Sequence, residues 1–122
     1  MTDKVQYQIV VTTIASRKEA DTLADRIITT RLAACVQLTA IHSLYHWQGK
    51  AESSGEIRLE AKTRSALVPK LMAFIKANHS YEVPEIIAIP ILAGHAPYLR
   101  WIRDETRTAR ASAGLHDHPE RV

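Results

Sequence analysis

Residues 78–92 read NHSYEVPEIIAIPIL, and the change of character halfway along this stretch decides how the rest of the chain is arranged. The first half crowds His79, Tyr81, Glu82 and Glu85 around Pro84. The second half, residues 86–92, is an apolar run rich in β-branched side chains, the pattern of a largely buried strand. Pro84 biases Val83 towards extended backbone, so the polar groups sit on a stiff approach to that strand. Pro90 interrupts the run, and proline within a strand is tolerated mainly at a sheet edge or a bulge. The strand is therefore expected at an edge. Its polar approach reads equally as a functional site and as an ordinary exit from a helix.

Working outward, residues 6–13 (QYQIVVTT) are β-branched and apolar on both faces at Ile9–Val11, which predicts a central strand. Ser16 precedes Glu19 by three, the capping-box spacing, and Ala20, Leu23, Ala24, Ile27 and Ile28 follow at one-face helical spacing. A helix is predicted over 17–30. Residues 33–42 and 43–47 carry apolar groups at short spacing, and Gln48-Gly49 makes a tight turn. Residues 56–62 (EIRLEAK) alternate as a strand with one wet face, while 51–55 read as a turn. Together, 33–62 form a long hairpin. A second helix is predicted over 65–78, capped by Thr63 or Ser65, with Pro69 in its first turn. A third helix begins near Pro97 and carries Tyr98, Trp101 and Ile102.

The order strand, helix, hairpin, helix, strand, with an extra C-terminal helix, is that of an α+β, ferredoxin-like split β-α-β, one antiparallel sheet covered by two helices on one face. The third helix is too short to cover the other face, so self-association is expected. Residues 1–108 are read as a single domain and 109–122 as a flexible C-terminal tail. Composition excludes several classes. A net charge of +3 is too mild for a nucleic-acid protein, and the arginines at 100, 103, 107 and 110 are interleaved with Asp104 and Glu105. A single cysteine, Cys35, suits a reducing compartment, and neither a secretory signal nor a membrane-length apolar run is visible. A cytoplasmic protein without nucleic-acid or membrane partners is expected.

Five blocks then line up with a known family. LAACVQ at 32–37, SLYHWQGK at 43–50, EIRLEAKT at 56–63, HSYEVPEI at 79–86 and GHAPYLRW at 94–101 resemble CutA, the divalent-cation tolerance proteins, over about residues 6–106. The resemblance implies a PII-like homotrimer whose long hairpins pair with neighbouring subunits and whose function is tolerance to copper or other divalent metals, without an enzymatic reaction or organic cofactor. It also implies a cysteine near the end of the first strand, where this chain has Thr12 and Thr13.

His79, Glu85 and Cys35 are the candidate metal ligands, since imidazole, carboxylate and thiolate all suit copper or another divalent ion. Each has an ordinary reading as well: Cys35 as a small buried hydrophobe, His79 as a histidine at a helix C-terminus. Trp47, Lys62, Tyr81 and Glu82 are candidate walls of an intersubunit cleft; the ordinary reading is packing anchors for the aromatics and a surface strand lysine for Lys62. His42 and His46 share a strand face about 13 Å apart, too far to hold one ion. Two other readings are a signalling or scaffold trimer binding a small ligand or protein, and a hydrolase with Cys35 as nucleophile and His79 as base.

Overall fold

The computed structural model describes residues 4–107, so the expected tail at 109–122 lies outside the described residues. Four antiparallel strands form one sheet in the order β2-β3-β1-β4, flanked by three α-helices. β1 (Tyr7–Ile14) is central, as its two apolar faces require, and β4 (Ile86–Pro90) pairs with it at the sheet edge, where Pro90 is tolerated.

α1 (Arg17–Thr29) starts at Ser16, whose hydroxyl accepts the Glu19 N–H at 3.2 Å. It buries Ala20, Leu23 and Ile27. α2 (Val68–Ala77) buries Val68, Leu71 and Ile75. Both helices pack on the sheet face made by Val10 and Ile14 of β1 and by Leu59 and Ala61 of β3 (Lys50–Arg64). Side chains alternate along a strand, so Arg58, Glu60, Lys62 and Arg64 point to the opposite face. There α3 (Ala96–Glu105) covers one end: Lys62 Nζ lies 3.4 Å from the Tyr98 hydroxyl, and Arg64 Nε donates to Thr106 Oγ1 at 2.9 Å.

Four expectations need correction. Residues 51–55 are not a turn; β3 runs unbroken and pairs with β2 (Cys35–Trp47) up to the Gln48-Gly49 turn, so the two expected strand pieces of the first arm are one. The small polar residues there belong to a two-stranded ribbon wet on both faces, which has no reason to alternate. The second helix opens with a 3-10 turn (Ser65–Leu67) and has no side-chain cap. Thr63 instead donates to the Leu32 carbonyl at 2.7 Å, and Ser65 accepts from Gln8 at 3.0 Å. Finally, β4 stops at Pro90 and is not buried in the single chain: Ile87 is 47% exposed and Ile89 39%. No described helix is long and apolar enough to cross a membrane.

Candidate functional site

The segment between α2 and β4 is pinned to the sheet at two points. His79, immediately after the α2 C-cap Asn78, reaches the end of β1, its Nε2 lying 2.9 Å from the Thr13 carbonyl and 3.1 Å from Thr12 Oγ1. The backbone N–H of Tyr81 donates to His79 Nδ1 at 3.1 Å. An N–H can only donate, so Nδ1 carries no proton, and the neutral ring holds its hydrogen on Nε2, aimed at the Thr13 carbonyl. The two rings lie 4.9 Å apart, tilted by 47°.

Tyr81 makes the second pin. Its hydroxyl donates to Glu56 Oε2 at 2.7 Å, at the base of the β2–β3 ribbon. Glu56 is only 8% exposed. Burial raises the Tyr81 pKa well above its ordinary value, and the Glu56 carboxylate raises it further, because a phenolate beside a carboxylate is disfavoured. Glu82 and Glu85 sit on the same loop and are exposed.

The metal candidates are not brought together within one chain. Both His79 ring nitrogens are already hydrogen-bonded, so coordination would displace either the Tyr81 N–H or the Thr13 carbonyl. Cys35, half-buried, stands opposite Lys62, which stands opposite Ile9. It is therefore two strands and about three residues from Thr12, or about 14 Å from the His79 anchor at ordinary sheet spacings. Among the described residues no three His, Cys, Asp or Glu side chains gather as a metal site. Lys62 lies beneath Tyr98, 5.6 Å from the ring centre, rather than beside the loop. Trp47 is exposed at the far end of the ribbon.

Glu56 was not legible as a site residue, because strand alternation alone makes it a solvent-facing carboxylate. Thr12 and Thr13 stood out only as departures from a cysteine, and no spacing links them to His79. A second feature also had no sequence signal: a surface groove of about 230 Å³ between α1 and the end of α2.

Comparison with known proteins decides the family. The profile described as CutA1 divalent ion tolerance protein matches residues 8–105. The chain belongs to the CutA family. Among its CutA relatives, the rice protein CutA 1, chloroplastic, is 42% identical over 100 residues, 81% of this chain and 56% of that protein. Human protein CutA is 43% identical over 101 residues, 82% of this chain and 56% of that protein. This chain thus spans about half the length of these curated CutA relatives. The solved structure of the periplasmic divalent cation tolerance protein CutA from Archaeoglobus fulgidus superposes with a TM-score of 0.81 at 37% identity, covering 83% of this chain and 99% of that one.

Proposed function

We propose that this chain is a divalent-cation tolerance protein acting as a ferredoxin-like, PII-like homotrimer in the cytoplasm, and that it holds copper or another divalent ion where subunits meet. One observation carries the reading. β1 pairs with β3 only between Ile57 and Arg64, so the arm beyond it is a two-stranded ribbon with no third strand. Its far half exposes Leu44 at 78%, with Tyr45 and Trp47, while edge strand β4 exposes Ile87 and Ile89. A ribbon with exposed Leu44, Tyr45 and Trp47 and a sheet edge with exposed isoleucines, both wet in the single chain, are what a second copy would cover. The sheet order, with two helices on one face, supports the ferredoxin-like reading.

The ligands in this reading are Glu85, Cys35 and His79, drawn from different subunits, with Glu82 beside them. His79 contributes by exchanging the Tyr81 N–H for the ion at Nδ1. No enzymatic step is assigned: Cys35 and His79 are too far apart in the chain for a nucleophile–base pair, which needs about 3 Å.

Sedimentation velocity with titration of Cu(II) and Zn(II) tests both halves. The assembly is expected to fall to lower mass in the double variant Leu44→Glu, Ile89→Lys, and binding to weaken at least about tenfold in Glu85→Gln and His79→Ala. A wild-type monomer would overturn the assembly, and equal metal binding in all variants would overturn the ligand set.

A further inference from the structure

The groove between α1 and the end of α2 shares only His79 with the reading above, and its walls are chemically specific. Its floor is apolar, made by Ile14 and Leu23. Its rim carries Lys18 and Arg26 against the single carboxylate of Glu19, with Asn78 and His79 closing the far side. None of the ion pairs among the described residues involves these three charges.

Arg26 is held ready. One guanidinium N–H donates to Asn78 Oδ1 at 2.9 Å, and Asn78 is itself fixed by donating from Nδ2 to the Phe74 carbonyl at 2.8 Å. A guanidinium has five N–H groups, so a fork held by one bond keeps others free for a planar acceptor. At the other end of the groove, the first turn of α1 leaves backbone N–H groups without helical partners, and the helix dipole adds positive potential. Lys18 and Arg26 are eight residues apart on α1, about 12 Å along the helix, so they bracket the groove rather than chelate one point.

We propose that this groove binds a small organic carboxylate. Its carboxylate pairs with the Arg26 fork, and its short carbon body lies on Ile14 and Leu23. A second polar group is held at the Lys18 end. Glu19 selects against a compact dianion such as phosphate and favours a ligand whose amino group can face it, as in an α-amino acid. The volume is below the roughly 300–1,000 Å³ of drug-sized pockets, which limits the occupant to a small metabolite. The inference is independent of metal binding. Because His79 and Asn78 line the groove, an occupant would also stiffen the loop that carries Glu82 and Glu85.

The experiment is amide chemical-shift mapping on the full chain in the presence of a chelator, with glutamate, succinate, acetate and inorganic phosphate as separate probes. At least one carboxylate is expected to bind saturably, with shifts centred on residues 16–26 and 74–79. Arg26→Gln is expected to weaken it about tenfold or more, as loss of a charge-assisted bond should, while leaving the dispersion of the spectrum unchanged. Lys18→Gln, at an exposed position, serves as a second variant. The proposal is overturned if no carboxylate binds saturably, if only phosphate binds, if the shifts map elsewhere, or if both variants bind like the wild type. Chelation keeps these outcomes separate from any failure of the metal reading.

Discussion

The Tyr81–Glu56 contact makes a demanding prediction, because it joins the loop to the ribbon through one hydrogen bond to a buried carboxylate. Tyr81→Phe deletes only the hydroxyl and keeps the ring that packs on His79. The lost bond is 2.7 Å long and its acceptor is 8% exposed, so water is poorly placed to replace the donor. A hydrogen bond to a charged group contributes about 1.5–3 kcal/mol, and the partial exposure of the Tyr81 ring puts the expected loss near 2 kcal/mol.

Chemical denaturation at fixed protein concentration and neutral pH measures that difference, and repeating it in alkali tests the cause. The unfolded phenol ionises near 10.0, whereas the folded one is held protonated to higher pH by burial and by Glu56. Between those two values unfolding releases a proton, so wild-type stability must fall as pH rises above about 10. Below 10 the phenol is neutral in both states and the contribution is complete. Tyr81→Phe lacks this proton, so the gap between the two proteins should narrow in alkali. A loss under about 0.5 kcal/mol at neutral pH, or a gap that stays constant through the alkaline range, would refute the reasoning.

Two further substitutions probe the frame that holds the site. Thr63→Val strips a fully buried hydroxyl from the Leu32 carbonyl and should destabilise by about 1–3 kcal/mol in denaturant unfolding, since the carbonyl is left without this donor. At the ribbon turn, Gln48 has φ 52° and Gly49 φ 79°, and nothing crowds a Cβ at Gly49. Gly49→Ala should therefore lose about 1–2 kcal/mol from backbone strain alone, and Gln48→Asn should recover a few tenths in the same assay.

Much of the frame was legible because local chemistry and long-range packing agree there. Ser16 caps α1 because its spacing to Glu19 leaves the helix one natural start, and Pro90 marked the edge because a central strand cannot lose its N–H. The boundaries failed where tertiary contacts redirected a side chain: Thr63 looked like a cap until Leu32 presented a carbonyl to it. The site was less legible for a similar reason. His79 and Tyr81 were visible as residues, but their partners Thr13 and Glu56 lie 66 and 25 positions away. No pattern of spacing encodes a contact of that kind; only the register of β1 against β3 brings those partners to one end of the sheet.

That shared end gives the ribbon and the loop a common base. A two-stranded ribbon without a third strand is marginal in water, and this one carries Leu44, Tyr45 and Trp47 exposed near its tip. Such a ribbon gains order when something covers it, and in the assembly we propose a neighbouring subunit does so. Its root is already tied in the single chain, where Glu56 holds Tyr81. Tyr81 in turn fixes the loop through its backbone bond to His79, so the positions of Glu82 and Glu85 depend on how the ribbon is seated. In the assembly we propose, the seating of the ribbon and the placement of the exposed carboxylates are linked through Glu56 and Tyr81. Tyr81→Phe separates this arrangement from a purely local role. It should weaken metal binding while the sedimenting mass is unchanged, whereas a hydroxyl important only for stability would leave the affinity of the folded protein as it was.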